Sequence, residues 1–524
     1  MSEIIQYVWV FIAVVFFFSL AIGVHEWGHF LAARWQGLKV DRFAIGFGPP
    51  LMSWRWNGVE YCICSIPLGG YVALPQMAPM EMIEGENKTK TKDLPPVSAE
   101  AKIITAFFGP LFSFLLALVL AAIVWQVGVP RLELETQKVI GYVDPTRVET
   151  AKILQAGDEV LEVDGAKVTG FMDIYINVVL GSNDTIAMKI KRDGNIMDVT
   201  LVPEKKEKGE MRRLGIAPAQ KVFVERVGKT SPGAAGGVQK GDEILEVNSL
   251  RVLSPEACAD IIQKSKDVPI TLKVLRNGQE KMLDVTPRLM ADTKGLDKDM
   301  PDGWAGIGIQ FQTPEYKLAY PTISRQFTRI WFQTKKTWIA LFSSKSDVKL
   351  KDMSGAVGIV DTYSRLLGIN GDVSFGIKAA LAFSVLLNFS LAIMNLLPLP
   401  VLDGGHIMLS LIEKIRGKAI GYKLLNHVQN VFIVIILAFM VYVNFHDVKR
   451  VFSRKQEEAS QKKPLDLDER TYENFTFPAS LGTNSTATQL TTKNQPTVTV
   501  PNGSTPKDEK LNIKTPSPAT PASR

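Results

Sequence analysis

Charged residues vanish from four long apolar stretches of the chain, at residues 4–24, 103–129, 379–402 and 428–445. The first has the length a helix needs to cross a bilayer. Its start carries Glu3 and no Lys or Arg, which argues against a cleaved signal peptide. The second is interrupted by Gly109-Pro110, the third holds Asn388, Asn395, Pro398 and Pro400, and the fourth is the shortest. These stretches predict about four membrane-spanning helices. Between the second and third, the pattern changes to short alternating strands around Gly-Asp and Asp-Gly turns, with helices predicted at 171–179 and 255–264. Next come Ile323, Phe327, Ile330, Trp331, Trp338, Ile339, Leu341 and Phe342 at near-helical spacing, interleaved with Arg325, Arg329, Lys335 and Lys336. A basic helix with an aromatic stripe fits lying along a membrane face, or packing on the domains before it. Residues 451–524 are rich in Ser, Thr, Pro, Asn and Lys without apolar periodicity, the signature of a disordered tail.

The soluble insert is duplicated. Residues 155–168 and 239–252 share eight of 14 positions at an offset of 84, and Arg192-Asp-Gly194 answers Arg276-Asn-Gly278 at the same offset. Two domains of one fold in tandem are expected. The Gly-Asp-Glu-Ile-Leu-Glu-Val-Asn pattern at 241–248, with Ser231-Pro-Gly-Ala-Ala-Gly-Gly-Val238 ahead of it, resembles PDZ domains. Such domains bind an extended peptide as an added strand; a rigid spacer or steric filter is the competing reading.

Composition changes this picture little. The 524 residues are 46% apolar and 22% charged, and an excess of +7 is too dilute to imply nucleic-acid binding. Three cysteines exclude a disulfide framework. The distribution of charge is more telling, because Lys and Arg favour the cytoplasmic side of a span. Arg34, Lys39, Arg42, Arg55, Lys88, Lys90, Lys92 and Lys102 lie between the first two stretches. The N-terminus is therefore expected outside, residues 34–102 in the cytoplasm and 130–378 outside. The tail should emerge outside, yet it begins with Lys449, Arg450, Arg454 and Lys455, against the rule.

The chemistry concentrates at His25-Glu26-Trp27-Gly28-His29. On a helix, residues four apart share a face, so both imidazoles can reach one metal while the Glu between them acts on water. His and Glu in a membrane span default to a functional reading. Two His leave a catalytic Zn²⁺ site one protein ligand short. Asp403 is the leading candidate: it follows Pro398 and Pro400 in a broken helix and precedes Gly404-Gly405, and irregular backbone at membrane depth is tolerated where it lines a polar cavity. His406, one turn on, is a rival ligand. Asn57-Gly58 between residues 51–56 and 59–64 predicts a hairpin whose edge could pair with an unwound substrate. Asn395 is a candidate for hydrogen-bonding substrate backbone. Pro398 and Pro400 are candidate substrate-positioning residues too, though shaping the break fits them better.

His25-Glu-Trp-Gly-His29 together with Asn395-x-x-Pro-x-Pro-x-Leu-Asp-Gly resembles the site-2 protease family of intramembrane zinc metalloproteases (M50B), in the bacterial branch with two PDZ domains. The segments at 43–49 (Phe-Ala-Ile-Gly-Phe-Gly-Pro), 66–72 (Ile-Pro-Leu-Gly-Gly-Tyr-Val) and 353–359 (Met-Ser-Gly-Ala-Val-Gly-Ile) also match, and the resemblance covers about residues 1–450. Ala356 stands where the family has Pro. Ser113 stands where the family has Asn, so no role is assigned to it. The resemblance implies His25, His29 and Asp403 as ligands of one Zn²⁺ per chain and Glu26 as the catalytic residue. It implies hydrolysis of peptide bonds within or near the membrane segments of single-span proteins, such as a trimmed anti-sigma factor or a remnant signal peptide. The expected fold is a multi-domain membrane protein: an α-helical metalloprotease core, a membrane-associated β-hairpin and two mainly-β PDZ domains. The expected division is 1–129 for the first two spans, with the hairpin at about 40–75; 130–215 and 216–290 for the PDZ domains; 291–375 for a connector with a membrane-surface helix; 376–450 for the last two spans; and 451–524 for the tail. The bilayer, single-span substrates and peptide ligands of the PDZ pair are the expected partners, with no nucleic acid. The expected location is the bacterial inner membrane, with the active site toward the cytoplasm and the PDZ pair outside. A membrane zinc transporter and a catalytically silent PDZ scaffold are the rival classes.

Overall fold

The first apolar stretch forms one helix, α1 (Glu3–Trp35), in the computed structural model of the chain, which describes residues 3–77, 94–95, 97–181, 183–203, 212–289, 305–343, 346–368, 372–418, 422–461, 472 and 475. The helix runs well past residue 24, so the histidines lie inside it rather than at its end. Strands β1 (Arg42–Trp56) and β2 (Val59–Ala73) follow. Asn57 (φ 49°) and Gly58 (φ 81°) both take positive φ at the turn between them, as a tight two-residue hairpin loop requires. The pair curls on itself. Phe43 pairs with both Tyr61 and Val72, while Tyr61 also pairs with Trp54. Both parts of the curl meet α1: Tyr61 of the predicted hairpin packs on Phe30, and Gly70 on the returning edge at 66–73 lies beside Ile22 and Glu26. The tip presents exposed Leu51, Met52, Trp54 and Trp56.

Helix α2 (Ala99–Val127) is N-capped by Ser98, whose side chain accepts from Ala101 N, and contains Pro110. The insert begins at Val129–Leu132, which pairs with Tyr316–Ala319, so its entry and exit are stapled together. The first unit contains β3 (Glu159–Val163), α3 (Phe171–Val179), β4 (Ile186–Arg192) and β5 (Asn195–Leu201). The second repeats this order as β6 (Glu243–Val247), α4 (Pro255–Lys264), β7 (Ile270–Arg276) and β8 (Gln279–Val285). Core positions match at the sequence offset. Val160, Val163, Ile174, Ile190 and Leu201 fill one core; Ile244, Val247, Cys258, Val274 and Val285 fill the other. Each unit holds the same ion pair, a buried aspartate against a partly exposed arginine. Arg192 Nε lies 2.6 Å from Asp158, Arg276 Nε lies 2.6 Å from Asp242, and each guanidinium also donates to a backbone carbonyl, of Ile153 or Gly237. The expected boundaries at 215 and 290 need correction. Ile216–Pro218 pairs with Ile140–Val143 in the first unit, and Ile309–Phe311 pairs with Val222–Val227 in the second. These three-residue strands are too short to show a period of two.

Helix α5 (Ile323–Phe342) joins the two parts of the molecule. Ile323, Phe327 and Ile330 pack among Leu120, Val385 and Phe389 of the spans, whereas Ala340 packs with Val179 and Val348 and Lys336 donates to Asn177 of the first unit. It therefore packs on the domain before it, as one of the two expectations had it, and its other end packs on the spanning helices. Helix α6 (Ala356–Leu367) follows, then α7 (Val373–Asn395), α8 (Asp403–Arg416) and α9 (Tyr422–Gln461). The third apolar stretch is thus helical only to Asn395. Among the described residues, 4 helices are long and apolar enough to cross a membrane: α1, α2, α7 and α9. Helix α9 has 40 residues, about 60 Å at 1.5 Å per residue, twice a hydrocarbon core. The tail's expected start at 451 is corrected to beyond Gln461, and apart from Tyr472 and Phe475 the rest of that expectation lies outside the described residues. The helix is held there by charge. Arg454 pairs with Asp361 and Arg450 with Asp447, and Asp447 accepts from the N–H groups of Gly355 and Gly358 at the start of α6 at 2.8 and 2.9 Å. Two of the four cations that broke the charge rule are therefore neutralised locally.

Candidate active site

The site is built where α1 crosses α2 and meets the start of α8. The crossing is close because both helices carry glycine there: a Cβ on Gly109 would collide with the His29 ring, and one on Gly28 with the carbonyl of Phe108. Close approach through small residues is how helices pack within a membrane. His25 and His29 are buried and held by α2. His25 Nδ1 lies 2.9 Å from Ser113 Oγ, and His29 Nδ1 lies 2.8 Å from Thr105 O. A carbonyl can only accept, so His29 carries a proton on Nδ1 and a neutral ring turns a bare Nε2 lone pair inward. Ser113 thus has a partner in the site that its departure from the family pattern did not suggest.

Asp403 arrives from the other end of the chain. After Asn395 the backbone leaves the helix and folds over the first turn of α8, where a Cβ on Gly404 would meet Leu396 O and one on Gly405 would meet Leu399 O. The two glycines after Asp403 are therefore steric necessities. This brings Asp403 Oδ2 to 3.3 Å from His25 Nε2 and Oδ1 to 3.3 Å from His29 Nε2; the two Nε2 atoms are themselves 3.3 Å apart. Ligands bound to Zn²⁺ at 2.0–2.1 Å in a tetrahedron stand roughly 3.3 Å apart. Asp403 Oδ2 is buried and accepts no hydrogen bond. Lone pairs converging this closely in a buried place demand a cation between them. Among the described residues these three form the one group whose ligand atoms all lie within 4.8 Å of one another. The donor set, two imidazoles and a carboxylate with room for a fourth ligand, fits zinc.

A cavity of about 170 Å³ opens beside this cluster, lined by Glu26, Gly70, Asn395, His406 and Gln429 as well as the three converging residues. That volume holds several waters. Glu26 lies against Gly70 of the returning β2 edge, where a Cβ would come within 3.1 Å of the Glu26 side chain. Asn395 Nδ2 is 3.3 Å from His25 Nε2. His406 lines the cavity but is not one of the converging ligands. Pro398 is exposed and Pro400 buried, and neither lines the cavity. Lacking N–H groups and with fixed φ, they suit the break between α7 and α8. Sequence reasoning passed over Ser113, Gly70 and Gln429. A polar side chain inside an apolar stretch was the available signal for Ser113 and Gln429.

The sequence profile of peptidase family M50 matches residues 12–439. The chain is 28% identical over 470 residues to Protease RseP of Yersinia pestis, covering 84% of this chain and 99% of that one. It is 29% identical over 468 residues to a Pasteurella multocida protein assigned as a zinc metalloprotease (85% and 100%), and 29% over 471 residues to the regulator of sigma-E protease RseP of Salmonella typhimurium (84% and 99%). Among solved structures, the PDZ domain of an SdrC-like protein from Listeria monocytogenes is similar over 17% of this chain and 85% of its own length, at 24% identity and a TM-score of 0.14.

Proposed function

The chain belongs to peptidase family M50, and from that premise we propose that it is an integral bacterial inner-membrane zinc endopeptidase that cleaves single-span proteins within or near their membrane segments. The observation that carries this reading is the meeting of His25, His29 and Asp403 at mutual separations of 3.3 Å beside a cavity that Glu26 lines. A zinc transporter or a silent scaffold would have no use for a carboxylate held beside a completed ligand set.

His25, His29 and Asp403 would hold one zinc ion. Zinc there supplies Lewis acidity, which polarises the scissile carbonyl and acidifies water. Glu26 takes the proton of the attacking water and passes it to the departing amide nitrogen. Ser113 and the Thr105 carbonyl fix the imidazoles, so the site is organised before substrate arrives. The Asn395 amide donates to substrate backbone. The returning edge at 66–73 supplies backbone partners that hold the substrate extended, since a helical peptide bond keeps its carbonyl hydrogen-bonded and shielded. Outside the membrane core, the two duplicated units act as PDZ domains, taking peptide ends or filtering substrates by size. They and the connector occupy the extracytoplasmic side, and the active site lies toward the cytoplasm. The substrates of this reading are single-span proteins, such as a regulator already trimmed by another protease or a remnant signal peptide.

The test is cleavage of a single-span substrate by the purified protein in detergent, with and without a chelator. Glu26→Gln is expected to keep zinc and abolish cleavage. Undiminished cleavage by that variant would refute the assignment.

A further inference from the structure

One polar group in the site has no part in the chemistry above. Gln429 lies on α9, whose neighbouring side chains Val431, Val434, Ile435 and Leu437 are exposed and apolar, yet Gln429 itself is only 3% exposed. A buried amide at membrane depth is costly unless both its ends are satisfied. Here one end is. Its Nε2 donates to Pro400 O, at a long 3.4 Å, a carbonyl on the broken backbone between α7 and α8. Because a carbonyl can face only the NH₂ side of the amide, this bond fixes the orientation. Oε1 is then the other end: buried, without a hydrogen-bond partner, on a residue that lines the cavity with Glu26 and Asn395.

We infer that Gln429 is a substrate-binding residue whose Oε1 accepts a backbone N–H of the extended substrate next to the scissile bond. This rests on the protease reading and adds to it a recognition element from the fourth span. A peptide drawn out of its helix exposes N–H and C=O groups alternately along both flanks. The 66–73 edge meets one flank. On the other, Asn395 offers a donor and Gln429 an acceptor, the complementary pair that an extended backbone presents. A site built around such an acceptor discriminates against a substrate lacking the hydrogen, because the buried oxygen is then left unpaired. A merely structural Gln429 would bind Pro400 and be indifferent to substrate hydrogens.

The experiment uses the full-length protein in detergent and a synthetic single-span peptide. Backbone amides flanking the scissile bond are replaced one at a time by esters, each of which deletes one N–H. With wild type, one ester position besides any that pair with the β edge is expected to lower kcat/KM by about 3- to 10-fold, the worth of one neutral hydrogen bond. With Gln429→Met the all-amide peptide should be cleaved more slowly by a similar factor, zinc content should be unchanged, and that same ester should cause no further loss. If Gln429→Met loses zinc or fails to fold, the same series on Gln429→Asn decides, because a shortened amide should also erase the response to that ester. Equal kcat/KM for wild type and variant, or identical ester profiles in both, overturns the inference while leaving the protease reading intact. Failure of wild type to cleave the all-amide peptide overturns both.

Discussion

Replacing Gly109 by alanine tests whether the crossing of α1 and α2 is what positions the metal. The added methyl would lie inside contact distance of three atoms of the His29 ring, the farthest of them, Cδ2, at 2.9 Å, where ordinary contact begins at 3.4 Å. The ring would have to retreat by at least about half an ångström, and Nε2 by more. Metal–ligand distances tolerate about ±0.2 Å. The ring cannot turn away freely, because its Nδ1 is held 2.8 Å from Thr105 O. Separating the helices instead would overpack the bundle, at about 1–3 kcal/mol. Either response should weaken zinc binding by at least about 10- to 100-fold, the usual effect of disturbing a ligand's support. Zinc retained after equilibration against graded chelator measures it, alongside cleavage of a membrane-embedded substrate. Wild-type zinc affinity together with wild-type cleavage in Gly109→Ala would refute the reasoning.

Other expectations follow from the same geometry. Asp403→Asn should lose zinc while His406→Ala retains it, read by metal analysis of the purified variants; the reverse would make His406 the third ligand. Asp242 is fully buried against Arg276, so Asp242→Asn should destabilise the second unit by about 3 kcal/mol, seen as earlier proteolysis, and Asp158→Asn should do the same to the first; a negligible effect would mean the repeated ion pair is dispensable. Burial pushes the Cys258 thiol up to about 12 from 9.0. The raised value favours the protonated thiol in the folded state, so this contribution is complete below pH 9 and is lost as the pH rises from 9 toward 12. Alkaline unfolding should therefore be less steep in Cys258→Ala than in wild type, and identical slopes would contradict this.

The candidate ligands were legible because their chemistry is local. His25, Glu26 and His29 sit within one helical turn and a half, and Asp403 is announced by prolines and glycines that only a broken helix explains. The duplication was legible because identical turns and core positions recur at a fixed offset. What stayed hidden depends on distant partners. Ser113 matters because α2 crosses α1 at Gly28 and Gly109, and the curl of β1 and β2 arises from Phe43 pairing in two directions. Strands as short as Ile216–Pro218 and Ile309–Phe311 carry no periodicity. The cations at 450 and 454 contradicted a statistical rule until Asp447 and Asp361 were seen beside them.

Asn395 reaches back across 370 residues of sequence to touch His25, and Asp403 lies farther still. A ribosome adding 5–20 residues per second needs roughly 20 to 75 s to cover that span. For all that time the nascent histidines sit in the bilayer without their carboxylate, and zinc cannot be held as the finished site would hold it. On the protease reading, the separation of His25 from Asp403 acts as a biosynthetic delay: α1, α2, the duplicated insert and α7 must all be made before the set can close, which keeps the half-made chain from cutting its neighbours.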